Sequence, residues 1–143
     1  MIEIRRQAVV PYTPAQMFDL VNDVEAYPRR FSWCAAASVL TRQENELTVR
    51  LDLRFAGFRH AFTTRNVLSP PHHLRVELVE GPLRTLEGDW YFDALGDKGC
   101  KIRLALDFDY AGRITGAALR VGFQVLANRM VDDFCSAARK VYG

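Results

Sequence analysis

The sequence predicts an α+β fold in which an antiparallel sheet curves around one long C-terminal helix and encloses an apolar interior. Two stretches carry that prediction. The first is a strand pair. Leu86, Gly88, Trp90, Phe92 and Ala94 alternate with Glu87, Asp89, Tyr91 and Asp93, so period 2 puts an aromatic row inward and a charged row in water. Cys100, Ile102, Leu104, Leu106, Phe108 and Tyr110 then share one face and Lys101, Arg103, Asp107 and Asp109 mostly the other, with Gly96-Asp97-Lys98-Gly99 turning between the runs. The second stretch is a helix with Leu119, Phe123, Leu126, Met130, Phe134, Ala137 and Val141 at spacings of three and four. A second line, Ile114, Ala118, Val121 and Val125, flanks it, so the first half of the helix is expected to be apolar over most of its circumference.

The remaining elements follow in order. Ile2, Ile4, Ala8 and Val10 read as an opening strand interrupted by Arg6 and stopped by Pro11. A helix begins at once: Thr13 is a natural N-cap, Pro14 suits the first helical position, Gln16 completes a capping box, and Met17, Leu20, Val21 and Val24 face inward. Pro28 restricts Tyr27, and Tyr27 to Cys34 reads as a short helical turn and a loop. Leu47, Val49, Leu51, Leu53 and Phe55 form the cleanest strand, and Ala56-Gly57 turns the chain. If Phe55 opposes Phe58, the returning strand places His60, Phe62, Thr64 and Asn66 inside, and Arg50, Arg54, Arg59 and Arg65 share the solvent face. Pro70-Pro71 ends that strand, Leu74 to Glu80 makes another, and Gly81-Pro82 turns into the Trp90 strand. The order is strand, helix pair, about six strands and a long helix.

At 143 residues and 49% hydrophobic, the chain supports one full core, and residues 1–143 are read as a single domain. A formal charge of +2 does not demand a polyanionic partner, yet the 19 basic residues are arginine apart from Lys98, Lys101 and Lys140. Arginine forks onto phosphate and suits RNA surfaces, while codon usage in a GC-rich genome explains the same excess more simply. Nothing points to DNA. Cys34, Cys100 and Cys135 are far apart without a Cys-x-x-Cys pair, which fits a reducing compartment. No run reaches the ~20 apolar residues of a membrane span, and Met1 to Arg6 lacks a signal peptide's apolar stretch. A soluble, cytoplasmic protein is expected.

Catalytic motifs are sparse. The histidines are His60 and the pair His72-His73, which reads as a solvated turn beside two prolines, so no metal site is expected. No cysteine sits in a strand-to-helix elbow, and the glycines form no phosphate loop, so no cofactor is expected. His60, Thr64 and Asn66 either orient a ligand's carbonyl or hydroxyl in an apolar pocket or lie at the sheet rim bonded to backbone and water. Phe62, Trp90, Phe92, Phe108 and Phe123 are either ordinary core or pocket wall. The wall is favoured here, because a curved sheet closing on one helix leaves space. Gly116 and Gly122 each cost the helix about 1 kcal/mol relative to alanine, which fits close approach of a ligand or strand, or else a frayed turn and a tolerated surface site.

Val21-Asn22-Asp23-Val24-Glu25-Ala26-Tyr27-Pro28, then Trp33-Cys34, Phe62-Thr63-Thr64-Arg65-Asn66, and Leu78 to Arg84 through Gly88-Asp89-Trp90-Tyr91-Phe92 resemble the coenzyme-Q-binding START-like family. Its bacterial members are labelled polyketide cyclase/dehydrase or ribosome association toxins of the RatA type, within the SRPBCC helix-grip superfamily. The resemblance covers essentially the whole chain. It implies a helix-grip fold with a hydrophobic tunnel, and the strand and helix periodicities assign Phe62, Trp90, Phe92, Leu104, Leu106, Phe108, Phe123, Leu126 and Met130 to its lining. One segment departs from the family's Tyr-Pro-x-Phe-Leu-Pro-Trp-Cys pattern: Arg30, Phe31 and Ser32 precede Trp33, which makes that end of the tunnel more basic.

Two functions follow from the resemblance. The first, adopted on the sequence, is non-enzymatic binding of ubiquinone or a related isoprenoid quinone or lipid in support of respiration, with transient membrane contact for loading. It requires a pocket of roughly 300 Å³ or more. The alternative is a toxin that binds the large ribosomal subunit and inhibits translation, with Arg50, Arg54, Arg59 and Arg65 as the RNA-contact face. A third, an aromatic polyketide cyclase, would rely on His60 with a carboxylate near the tunnel mouth.

Overall fold

The computed structural model describes residues 1–112 and 116–143; Ile114, read above into the helix's second apolar line, lies outside them. The chain runs β1 (Ile2–Val10), α1 (Pro14–Asn22), a 3-10 turn (Val24–Ala26), α2 (Tyr27–Arg30), β2 (Cys34–Gln43), β3 (Glu46–Phe55), β4 (Phe58–Ser69), β5 (His73–Glu80), β6 (Leu83–Leu95), β7 (Gly99–Tyr110) and α3 (Ala117–Tyr142). The strands form one antiparallel sheet in the order β1-β7-β6-β5-β4-β3-β2, and α3 lies across its concave face. This is the helix-grip arrangement expected.

Local chemistry sets the elements. The α1 capping box forms as read: Gln16 N donates to Thr13 Oγ1 at 3.1 Å, and Thr13 N donates to Gln16 Oε1 at 2.8 Å. Ala56 and Gly57 take φ of 48° and 89°, the left-handed pair of a two-residue hairpin, and Phe55 opposes Phe58. Arg6 does not interrupt β1, which pairs with β7 throughout; its guanidinium reaches Asn128 on α3 at 2.5 Å. No residues were singled out above for β2. Its Ala35-Ala36-Ala37 run has little β-propensity, and register shifts at Cys34/Ala36 and Val39/Thr41 spoil its alternation.

The helix is narrower in its apolar face than predicted. Leu119, Phe123, Leu126, Phe134 and Ala137 are buried, but Val121 is 67% and Val125 49% exposed, Ala118 is exposed too, and Val141 at the end of the first line is 45% exposed. Gly122 marks a close strand approach: a Cβ there would lie 2.8 Å from Phe58 Cδ2 and 3.1 Å from Phe55 O, so glycine is what lets α3 settle on the β3–β4 hairpin. Gly116 is the N-cap and meets open space. At the other end, Phe18 of α1 packs edge-on against Phe92 at 5.8 Å, and Tyr142 donates to Gln16 O at 2.8 Å, tying α3 to α1.

Candidate functional site

Between sheet and helix lies a cavity of about 110 Å³. β3, β4 and β5 supply Leu51, Phe62 and Leu74; β6 and β7 supply Gly88, Trp90, Leu104 and Leu106; α3 supplies Phe123, Met130 and Phe134. The expected volume of roughly 300 Å³ is not reached, because aromatic rings from both layers meet across the space. Phe123 stacks on Phe62 at 5.4 Å, and Phe134 meets Trp90 edge-on at 5.2 Å.

One end is closed by the segment after α1. Tyr27 and Trp33 line the cavity, each edge-on to its neighbours: Tyr27 to Phe134 at 5.5 Å and to Trp33 at 6.0 Å. Trp33 Nε1 donates to Asp133 Oδ2 at 3.0 Å, which pins this segment to α3. Tyr27 donates to Val21 O, and burial raises its phenol pKa far above the ordinary tyrosine value.

Of the residues assigned to the tunnel, Phe62, Trp90, Leu104, Leu106, Phe123 and Met130 stand on its wall, as do Thr64 and Asn66. Phe92, Phe108 and Leu126 do not. All three are fully buried, Phe92 behind Phe18 and Phe108 beneath Phe123 at 4.9 Å, so they back the wall instead of forming it. His60 is also misplaced by the alternation: it is exposed near the turn end of the β3–β4 hairpin, stacked on Phe58, and among the described residues the wall has no histidine. Thr64 Oγ1 donates to Asn66 Oδ1 at 2.9 Å, a buried polar pair in an otherwise greasy surface. Tyr27, Trp33 and Phe134 were missed as wall residues. Phe134 lay on the predicted helix face, whereas Tyr27 and Trp33 sit in a segment that follows neither period.

Arg50, Arg54, Arg59 and Arg65 do share the outer face of β3 and β4 and are exposed, with Arg54 directly opposite Arg59. They do not make a bare cationic surface. Arg59 forks onto Asp52 at 2.9 and 3.3 Å, and Arg65 holds Glu77 at 2.6 Å. Arg75 extends the lattice to Glu77, Glu87 and Asp89 at 3.0, 2.9 and 2.8 Å. His73 is part of the same lattice and not of a solvated turn: its Nε2 is 2.6 Å from Asp89 Oδ1, and its ring stacks on Tyr91. The three cysteines are buried and unpaired, and burial pushes the Cys34 and Cys100 thiols up to about 11, away from nucleophilic use. Among the described residues, no helix is long and apolar enough to cross a membrane.

Residues 10–135 match the family described as polyketide cyclase / dehydrase and lipid transport. The chain belongs to that family. Among the polyketide cyclase/dehydrase relatives, it is 45% identical over 140 residues to the ribosome association toxin RatA of Pseudomonas aeruginosa, covering 98% of this chain and 97% of that one. It is 25% identical over 147 residues to the mitochondrial coenzyme Q-binding protein COQ10 homolog B of Xenopus laevis, covering 99% of this chain and 60% of that one. The Zhui aromatase/cyclase of a Streptomyces species superimposes with a TM-score of 0.85 over 97% of this chain and 94% of its own, at 18% identity, a likeness of fold. The START-like resemblance read from the Val21 to Phe92 motifs therefore stands.

Proposed function

We propose that this protein is a non-enzymatic START-like protein that associates with the large ribosomal subunit and restrains translation. Its support is the similarity to a ribosome association toxin along nearly the full length of both chains. The size of the cavity weighs against quinone carriage as the first reading. The cavity, about 110 Å³, is smaller than the ~150 Å³ apolar void that takes a benzene ring. A quinone head with an isoprenoid tail enters only if α3 and the Tyr27–Trp33 segment part. The cyclase reading draws no support from His60, which lies off the wall, and Tyr27, the titratable side chain among the described wall residues, is already bonded to Val21 O. The test is co-sedimentation of the purified protein with isolated large subunits, with binding that weakens steeply as salt rises. Absence from the pellet at low salt ends this reading.

A second reading, binding of a quinone or similar hydrophobic ligand, is favoured by the Thr64–Asn66 pair, since one polar contact in an apolar wall is how such pockets orient a ring. Trp33 and Trp90 both line the space, so intrinsic fluorescence reports occupancy. Short-chain ubiquinone should quench it, and a specific ligand at 100 times its dissociation constant adds about 2.7 kcal/mol of stability. If neither effect is seen, the second reading falls.

A further inference from the structure

The cations of this protein are distributed unequally in one respect that matters for a polyanion. On the outer face of β3 to β7, the forked guanidiniums already hold carboxylates: Arg59 with Asp52, Arg65 with Glu77, Arg75 with three partners and Arg103 with Asp93. At the closed end of the cavity Arg129 forks onto Asp133 and Arg30 lies beside Asp23, but Arg54 and Lys140 form no ion pair with a carboxylate among the described residues. α3 carries Arg129, Asp133, Ser136 and Lys140 at spacings of four, three and four, which is one helical stripe. Facing it runs Arg30-Phe31-Ser32-Trp33, and between them lies a cleft of about 140 Å³.

Among the described residues lining the cleft, Asp133 is the one carboxylate, and it is occupied: Oδ2 accepts from Trp33 Nε1 at 3.0 Å and from Arg129 Nε at 3.1 Å. Arg30 stands at the inner side, its Nη1 3.2 Å from Asp23 Oδ2 but without a hydrogen-bond acceptor among the described residues. Arg54 reaches the rim by donating Nε to Ser32 O at 3.3 Å. Ser136 Oγ accepts from Arg139 at 3.1 Å, which leaves its own hydroxyl proton to donate. Arg139 and Lys140 have a structural use at the carboxyl end of α3, where cations offset the helix dipole. Arg30 ends α2 and has a like position there, whereas Arg54 is on β3 and that use does not explain it.

We propose that this cleft holds a backbone phosphate of an RNA, and that Arg30, Arg54, Arg129 and Lys140 form the RNA-contact surface in place of the paired Arg59 and Arg65 of β4, a proposal that rests on the ribosome reading above. Guanidinium, ammonium and hydroxyl donors around a small cleft are the groups that position phosphates without reading sequence. A membrane-inserting rim would put exposed apolar side chains beside the cations, but Phe31, Trp33 and Ala137 in this lining are all buried.

The test compares two double variants that each remove two charges: Arg129→Gln with Lys140→Gln, and Arg59→Gln with Arg65→Gln. Binding is read by fluorescence anisotropy of a labelled single-stranded RNA, by flotation with phosphatidylglycerol-containing vesicles, and by sedimentation with large subunits. The first pair should lose about tenfold or more in RNA affinity and flatten the salt slope by about 1.4, as expected for two lost phosphate contacts. The second should change affinity less than about twofold. Because Arg129→Gln also breaks a pair with Asp133, the single exposed Lys140→Gln is measured too and should lose RNA affinity while its melting temperature falls by no more than the few degrees a lost helix-end cation costs, about 4 °C at most. Equal losses in both pairs, no loss in either, or preferential binding of the wild type to vesicles overturns the proposal. If the wild type sediments with subunits and the first pair still does, this surface is wrong while the ribosome reading stands. If the wild type does not sediment but RNA binding follows the expected pattern, the surface stands and the ribosome reading falls.

Discussion

Asn66→Leu and Thr64→Val, singly and together, test how the cavity wall is held and what it serves. Both residues are buried, 6% and 5% exposed, and joined by a 2.9 Å hydrogen bond. Asn66→Leu leaves the Thr64 hydroxyl without its acceptor in an apolar wall, and Thr64→Val leaves Asn66 Oδ1 without that donor. Each single change should cost about 1–3 kcal/mol, the desolvation of an orphaned polar group. The double variant removes both groups and should return to within about 1 kcal/mol of the wild type, so the single losses fail to add. At this chain length 1 kcal/mol moves the melting temperature by about 2–4 °C, so each single variant shifts by several degrees. Urea denaturation gives the free energies and thermal scanning the temperatures. A double variant that equals the sum of the singles refutes mutual satisfaction of the pair. The same variants bear on ligand binding: if the pair orients a quinone, the stabilisation by short-chain ubiquinone should vanish in the stable double variant. Stabilisation that survives there assigns any binding to shape alone.

Three further outcomes follow from burial and charge. Leu126→Asp, at a fully buried position outside the cavity, should unfold the protein by burying an unpaired carboxylate, and a circular dichroism spectrum of native helix content would contradict that packing. Iodoacetamide near pH 7.5, roughly, should leave all three cysteines unlabelled in the folded state and label them in urea, since burial raises each thiol; native labelling detected by mass spectrometry would refute this. The carboxyls of Asp52, Glu77 and Asp93 are held below their ordinary values by hydrogen bonds from Arg59, from Arg65 and Arg75, and from Arg103. Their stabilisation is therefore present above the unfolded values of 3.8 to 4.5 and is lost as pH falls through the depressed ones, so urea midpoints should decline on that acid side and less steeply in Arg75→Met.

The strands with clean alternation were legible to the residue: the inner rows of β6 and β7 and the Phe55–Phe58 register all follow from period 2 and one tight turn. Errors arose where a residue's face was right but its depth along the strand was not. His60 shares a face with Phe58 and Phe62, yet it is exposed while both of those rings are buried against α3, so period 2 gives the face and not the cover. Phe92, Phe108 and Leu126 point inward, but α1 and Phe123 fill the space in front of the two rings, and periodicity contains no information about what packs on top. The missing β2 and the unassigned Tyr27 and Trp33 share a cause: alanine-rich edge pairing and an irregular turn leave no periodic trace. The arginine face was placed correctly, but the pairings that occupy two of its members, Arg59 with Asp52 of β3 and Arg65 with Glu77 of β5, come from cross-strand geometry that alternation alone does not show.

The strand order has a bearing on how such a protein is made. β1 lies between solvent and β7, with Ile2 opposite Phe108, so the first strand synthesised waits for the last before it has any partner. Such long-range pairing is slow, because loop closure must precede the contacts that reward it. A nascent or truncated chain that stops before β7 has an unpaired β1, no α3 to cover the aromatic wall and no Arg129–Lys140 stripe to face Arg30. Fragments that stop before β7 should therefore be aggregation-prone, because they leave a strand edge unpaired and the aromatic face uncovered.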